Sequence, residues 1–530
     1  MVLVFTKASG IMQKTKSMFD FLGGVSMAVA QTTSENQGTE TVAVHSPING
    51  ELIGHIPVTS EEEVAAAVER ARAAQPAWEA LGFKGRRKIL LRWLDLLKAD
   101  EETLIHNIRR ETGKVEAHAR LEQYGIQALV LWLYHNAHKV LKRERRTPAF
   151  PIVQRVYVSY KPHGVVGFIT PWNYPFLLAF IDLLPALIAG NAVVLKPSEV
   201  TPFIAQYGMD KLHEAGVPKD VAQIVHGDGR TGAALVNYVD YISFTGSTEV
   251  GRKVAIRAAE RLIPYTMELG GKDPSIVLRD ANLDMTATGL LRGAFENSGQ
   301  ACVSVERVYV EAPIYEQLLE RIVHYANQMK VGKEDGMELH MGCFTNENEL
   351  QRTERHIEDA VAKGARVLVG GKRRPDLGPL FFEPTVIVDV DHTMDIMKEE
   401  TFGPVIPIMK VKDAEEAIKL ANDNEYGLSA SIFTRNLKRG QELALKLNCG
   451  DVGINRTHLG IGTPSIPSGG QKLSGIGRRG GPEGLKRFVV TQSHIVDTLW
   501  GQKPDLRIAD PMSVRMIELL VRLRRYIPFL

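Results

Sequence analysis

Apolar positions recur along the chain with two different periods, and the change from one to the other divides it. From Ser60, with Glu63 three positions on, an alanine-rich run repeats its apolar residues at helical spacing, which predicts an amphipathic helix opened by a capping box. Two further helical stretches are predicted as far as about Val140. Short β-branched runs then alternate with helical segments: GVVGFI, NAVVL, AQIVH, YISFT and SIVL. That alternation predicts βαβ units and a mostly parallel sheet. The same grammar resumes after residue 300 with RVYV, RVLVG, PTVIV and VIPIMKV, which predicts a second such domain. The expected fold class is α/β, with two doubly wound Rossmann-like domains.

Length agrees, since 530 residues exceed one typical core and fit two or three packed units. No stretch approaches the ~20 uninterrupted apolar residues of a membrane-spanning helix. The net charge of +2 gives no overall field toward nucleic acid, so a small substrate is expected. The 3 cysteines, Cys302, Cys343 and Cys449, form neither a disulfide framework nor a metal-ligand pattern. A reducing, cytoplasmic setting and no metal are therefore expected. Residues 1–40, lysine-bearing and then polar at QTTSENQGTE, read as a disordered leader; the alternatives are a signal peptide ending at Ala28-Val29-Ala30, whose apolar core Asp20 and the paired Gly23 and Gly24 interrupt, and a later translation start at Met12, Met18 or Met27.

Candidate chemistry gathers in six motifs. In FENSGQACVSVERVYV, Cys302 follows an Asn-Ser-Gly-Gln turn that exposes its thiol. In YTMELGGKDPSIVL, Glu268 ends an apolar segment, where low dielectric raises a carboxylate toward the pKa a general base needs; pairing with Lys272 is the alternative. In FITPWNYPF, Asn173 sits on a proline-bounded turn from which its amide can stabilise negative charge on oxygen. Lys196 and Glu199, in AGNAVVLKPSEVTP, leave the carboxyl end of a buried strand, where ribose hydroxyls bind in open sheets. Gly246 and Ser247, in FTGSTEVG, turn from strand into helix and expose N–H groups suited to a pyrophosphate. KEETFGPV supplies Glu400 and Phe402, a carboxylate and an aromatic face two residues apart.

In this order, and with the ending SGIGRRGGPEGLKRF, the motifs resemble the aldehyde dehydrogenase superfamily from about Thr41 to about Thr498. The resemblance implies that Cys302 is the nucleophile, that Asn173 and the Cys302 backbone N–H form the oxyanion hole, and that Glu268 activates the water that hydrolyses a thioester. It also implies a nicotinamide cofactor, with Lys196 and Glu199 at the adenosine ribose, Gly246 and Ser247 at the pyrophosphate, Glu400 at the nicotinamide ribose, and Trp172 and Phe402 beside it. A carboxylate at Glu199 accepts from 2′ and 3′ hydroxyls but repels a 2′-phosphate, so NAD is expected ahead of NADP. The implied domains are 41–147 with 162–268 for NAD, 269–484 for catalysis, and 148–161 with 485–498 as an oligomerisation arm. The arm segments PIVQRVYVSYK and RFVVTQSHIVD are expected to pair across a homodimer or homotetramer.

For the aldehyde itself, Ala301 and Val303 with Tyr174, Phe176 and Leu177 predict a hydrophobic tunnel for an aliphatic or aromatic substrate. The loop RTHLGIGTPSIPSGG departs from the family pattern, with Ser468 where Phe is usual. Arg456 and His458 could instead hold the carboxylate of a semialdehyde. A catalytically silent homologue and a coenzyme A-acylating dehydrogenase are the rival readings. Residues 499–530 form a tail in which 511–530 predict a basic amphipathic helix, with Met512, Met516, Leu519, Leu520, Leu523 and Ile527 on one face. Such a helix suits either a membrane interface, with Tyr526 and Phe529 as anchors, or the protein's own surface.

Overall fold

The computed structural model describes residues 40–148, 154–457, 463–497 and 511–526. The leader up to residue 39, and His458, Ile527 and Phe529, lie outside the described residues. Helix Glu61–Ala80 opens with the predicted capping box: Glu63 N–H donates to Ser60 Oγ at 3.2 Å and Ser60 N–H to Glu63 Oε2 at 2.9 Å. Three helices follow where two were expected, Gly82–Ala99, Glu101–Thr112 and Glu116–Val140. Gly113, at φ +74°, ends the second of these visibly in the sequence, whereas the break before it is the single residue Asp100, which no glycine or proline announces.

Among the described residues the strands form four sheets. A six-stranded sheet runs in the order Gly475–Ile476, Tyr265–Glu268, Tyr241–Thr245, Val165–Ile169, Ala192–Lys196, Ala222–Ile224, and a seven-stranded sheet contains Asp273–Val277, Val305–Glu311 and Val405–Val411. Each is parallel except for one edge pair. Helices cover both faces because the strands between them are buried throughout: AVVLK of Ala192–Lys196 and DPSIV of Asp273–Val277 expose nothing.

This topology decides where chemistry can sit. From Val165–Ile169 the chain goes to Ala192–Lys196 on one side and, later, to Tyr241–Thr245 on the other, which opens a crevice at the carboxyl ends of these strands. Lys196 and Glu268 end two strands of this edge, and Asn173 and Gly246 follow two others. Across the crevice, Cys302 and Glu400 precede strands Val305–Glu311 and Val405–Val411 of the second sheet. Residues more than a hundred positions apart thus face one gap.

A smaller sheet joins Glu144–Arg146, Gln154–Pro162 and Val489–Asp497. Here the structure corrects an expectation. The two arm segments pair with each other within one chain, antiparallel from Val489 opposite Pro162 to Asp497 opposite Gln154, and Val489–Asp497 forms the edge with Val490, Ile495 and Val496 exposed. The tail forms helix Pro511–Arg524, on which Met512, Met516, Leu519 and Leu523 are exposed along one side. Among the described residues no helix is long and apolar enough to cross a membrane.

Candidate active site

The turn that presents Cys302 is left-handed at three successive residues, Asn297 (φ +53°), Ser298 (φ +56°) and Gly299 (φ +74°). Two non-glycine residues in this region persist only if their surroundings hold them. Asn297 Nδ2 donates to the carbonyls of Asn173 (2.9 Å) and Gln300 (3.1 Å), and Thr345 N–H donates to Gln300 Oε1 at 2.9 Å. Gly299 has no alternative, since a Cβ there would strike the Gly403 carbonyl. Asn173 Nδ2 donates one hydrogen to the Gln300 carbonyl at 3.0 Å, so the turns bearing the amide and the thiol are locked together.

Beneath Asn173 lies a wholly buried ion pair. Lys114 Nζ reaches Glu122 Oε1 at 2.5 Å and donates to the Asn173 carbonyl at 2.8 Å; Glu122 Oε2 accepts the first N–H groups of helix Pro175–Ala189, Phe176 and Leu177, at 3.0 Å each. Lys114→Met strands a buried carboxylate. The expected loss is about 3–5 kcal/mol of unfolding free energy, read by denaturant titration, with a fall in kcat as Asn173 loses its support. Stability within about 1 kcal/mol of the parent would show the pair to be dispensable.

Cys302, Glu268 and Asn173 line two cavities that meet at them. The first, with about 580 Å³ of empty space open to solvent, is also lined by Pro171, Trp172, Gly246, Ser247, Glu400 and Phe402. The second, about 1050 Å³, is walled by Leu129, Tyr174, Leu177, Leu178, Ile181, Ala301, Val303 and Ile466, with Ser429, Asp451, Thr463, Ser468 and Arg479 as further polar members.

Electrostatics distinguish the groups. Burial pushes Glu268 up to about 7, against the pull of Arg479 and Arg487, and its Oε1 has no hydrogen-bond partner among the described residues. Lys272 does not pair with it, because Lys272 Nζ lies 2.5 Å from Glu306 Oε2. Burial also pushes the Cys302 thiol up to about 12, again opposed chiefly by Arg479. Glu400 rises to about 8 through burial and the nearby Glu306, and its Oε1 accepts Gly271 N–H at 2.9 Å. The glycine pair of ELGGK is what permits these approaches: a Cβ on Gly270 would enter the Glu400 carboxyl, and one on Gly271 the Cys302 carbonyl. Phe402, at φ +57°, is held by its N–H to Glu306 Oε1 at 2.9 Å and meets Trp172 edge-on at 5.6 Å between ring centres.

The first cavity fits a dinucleotide on its own terms. Ser247 caps helix Thr248–Glu260, its Oγ accepting Val250 N–H at 3.4 Å, and at Gly246 the backbone turns where a side chain would press on the Phe244 ring. Lys196 and Glu199 lie outside this lining. They form an ion pair of 2.9 Å, with Lys196 buried and Glu199 partly exposed.

Two expectations for the substrate side need correction. Phe176 turns into the core, 6.1 Å from Trp93 and 5.2 Å from Phe180 between ring centres, because it shares a helical face with Phe180. Arg456 is exposed and absent from the cavity wall. The cation in the wall is Arg479, and it, Asp451, Leu178 and Ile181 all lie outside the six motifs. Helical spacing from Tyr174 and Leu177 to Leu178 and Ile181 could have found the last two. A thiol beside a carboxyl that titrates near neutrality and an amide donor is equipped for addition to a carbonyl.

The family model for the Aldehyde dehydrogenase family matches residues 33–494. A Mycobacterium ulcerans protein provisionally named succinate-semialdehyde dehydrogenase (NADP+) 2 is 38% identical over 484 residues, 91% of this chain and 93% of its own length. The 4,4'-diapolycopene aldehyde oxidase of a Methylomonas species is 39% identical over 458 residues, 84% of each chain. Among solved structures, an aldehyde dehydrogenase of Mycobacterium tuberculosis complexed with NAD+ superposes with a TM-score of 0.82 at 32% identity, covering 89% of this chain and 98% of that one.

Proposed function

Because the chain belongs to the aldehyde dehydrogenase family, a family of oxidoreductases, we propose that it oxidises an aldehyde to a carboxylic acid at Cys302, with NAD as hydride acceptor. The observation that carries this reading is the junction of two cavities at one thiol, one fitted to a dinucleotide and one apolar. The Cys302 sulfur adds to the carbonyl carbon as its proton passes to Glu268, a carboxyl that lines both cavities with it and is poised near neutral pH. Asn173 Nδ2 and the Cys302 N–H hold the resulting oxyanion of the thiohemiacetal. Bound nicotinamide supplies the hydride acceptor that lets this carbon become a thioester. Glu268 releases the thiol's proton to solvent, water attacks the thioester as Glu268 takes its proton, and the C–S bond breaks to free the acid and return Cys302 as thiolate, which Glu268 can reprotonate. The groups for NAD are Ser247 and Gly246 at the pyrophosphate, Glu400 at the nicotinamide ribose, Trp172 and Phe402 beside it, and Lys196 with Glu199 at the adenosine ribose.

The predominantly apolar wall supports an uncharged aliphatic or aromatic aldehyde. A semialdehyde is the second reading, favoured by the name of the Mycobacterium ulcerans relative and by Arg479 in the wall. Asp451 in the same wall counters that cation toward a carboxylate. The exposed edge of Val489–Asp497 supports assembly with further copies of the chain.

The test is a panel of neutral and ω-carboxylate aldehydes with NAD and NADP, with and without coenzyme A. The expected result is free acid irrespective of coenzyme A, higher kcat/KM for neutral aldehydes, and preference for NAD. Glu199→Gln, which removes the charge facing a 2′-phosphate, is expected to move that preference toward NADP by about tenfold. Acyl-coenzyme A as the product would overturn the hydrolytic reading.

A further inference from the structure

Arg479 is held in the wall of the substrate cavity by two bonds from one nitrogen: Nη2 donates to Asp182 Oδ2 at 3.1 Å and to Thr245 Oγ1 at 2.9 Å. Strand Gly475–Ile476, just before it, pairs with Tyr265–Glu268 so that Gly475 lies opposite Glu268. The Arg479 backbone then exchanges both hydrogen bonds with Ser468 at 2.7 Å, closing the loop in which a Cβ at Gly469 would come within 3.1 Å of Glu268 Oε1. Arg479 is therefore fixed relative to Glu268 by backbone pairing as well as by its side chain.

The charges around it do not cancel by themselves. Asp182, buried on helix Pro175–Ala189, is paired with both Arg479 and Arg487. Two guanidiniums against one carboxylate leave one positive charge in a buried cluster, and ionised Glu268 neutralises it. The Arg479 Nε is buried with no hydrogen-bond partner among the described residues. We propose that Arg479 is a positioning residue for the reaction: anchored by Asp182 and Thr245, it keeps Glu268 in the carboxylate form in which that residue can accept a proton. This rests on Glu268 being the general base.

All the charged and titratable groups facing Glu268 bear on the sign. Burial raises Glu268, Arg479 and Arg487 lower it, and Asp182 and Asp451 raise it; Cys302 and Tyr241 complete the surroundings. Arg479 is the largest of the charge effects on both Glu268 and Cys302. Removing it should therefore move the acid limb of activity upward in pH.

The experiment is the kcat–pH profile of the full-length enzyme and of Arg479→Gln, Arg479→Lys and Asp182→Asn, with a neutral aldehyde and an ω-carboxylate aldehyde. In Arg479→Gln the acid limb is expected to rise by about one pH unit or more, giving about a tenfold loss near neutrality that recovers at alkaline pH. Arg479→Lys keeps the charge and restores most of the parent profile. Asp182→Asn keeps an amide oxygen to accept from Arg479 Nη2 while removing an anion that faces Glu268, so the limb shifts downward and the sign remains testable if Arg479→Gln does not fold. A loss independent of pH, or a rise in KM confined to the carboxylate aldehyde with the limb in place, overturns the proposal. The same profile in Glu268→Gln separates the two failures. If the limb survives there, the general-base assignment falls; if it vanishes there while the Arg479 and Asp182 variants leave it unmoved, only the role of Arg479 falls.

Discussion

Cys302→Ala is expected to lower aldehyde oxidation by on the order of 10⁴-fold or more while leaving affinity for NAD largely intact. The size follows from the chemistry: without the sulfur there is no covalent adduct, and direct hydride loss from a hydrated aldehyde lacks the oriented intermediate that Asn173 is positioned to stabilise. Binding should persist because the backbone around residue 302 is fixed from outside. Its turn is held through Asn297, Gly299 and Gln300, and the first cavity, proposed for the dinucleotide, is also lined by Pro171, Trp172, Ser247, Glu400 and Phe402, none of which needs the thiol. The other cysteines serve as controls. Cys343 is buried with its Sγ toward the Gly113 carbonyl, and Cys449 points to the Asp451 carbonyl at 3.4 Å, so neither lines the junction and alanine at either should retain turnover. Reduced-nicotinamide formation and equilibrium NAD binding on the three variants decide the matter. Turnover near the parent rate in Cys302→Ala would remove the covalent mechanism altogether.

The legibility of this site in the sequence follows the range of the interactions that build it. Cys302, Glu268 and Asn173 each sit in a local signature, a polar turn before a strand, a strand end before paired glycines, a proline-bounded turn, and those signatures are short-range by nature. The paired glycines carried more than the pattern reveals: their role is to admit the Glu400 carboxyl and the Cys302 carbonyl, contacts that exist only after the second sheet packs against the first. Arg479 is legible as part of the SGIGRRGGPEGLKRF ending but not as a member of the cavity wall, because its placement depends on Asp182, which lies 297 positions away inside an otherwise apolar helix. A lone aspartate in FLLAFIDLLPALIA is in fact a signal, since a buried carboxylate requires a cation. The arm shows the opposite limit. Period-two alternation in PIVQRVYVSYK and RFVVTQSHIVD identified strands, but alternation carries no information on whether a partner strand belongs to the same chain.

Glu268→Gln is expected to separate the two halves of the reaction. Gln keeps the shape of the protonated acid but cannot accept a proton, so the hydrolytic half fails: steady-state kcat should fall by about 10²–10⁴-fold. The first half needs only that the thiol proton leave, for which solvent in the cavity suffices at a reduced rate. A burst of reduced nicotinamide approaching one equivalent per site, followed by slow turnover, is therefore the diagnostic, and its amplitude rather than its rate carries the argument. The pH dependence fixes the assignment further. Because burial lifts Glu268 to about 7, the parent enzyme should lose kcat as pH falls through neutrality, well above the range of an ordinary carboxylate, and the variant should lack that limb. Stability provides an internal check with a definite sign. A carboxyl raised in the folded state contributes most at acid pH, where it is protonated in both states, and that contribution is lost as pH rises through about 7. Gln mimics the protonated form, so parent and variant should unfold alike at acid pH. They should diverge as pH rises from about 4.5, where the unfolded carboxyl ionises, to about 7, where the folded one does, by the difference between the desolvation that a buried carboxylate suffers and its attraction to Arg479 and Arg487. A variant that shows no burst at all would mean that solvent cannot replace Glu268 as acceptor of the thiol proton, and that its indispensable step precedes the thioester.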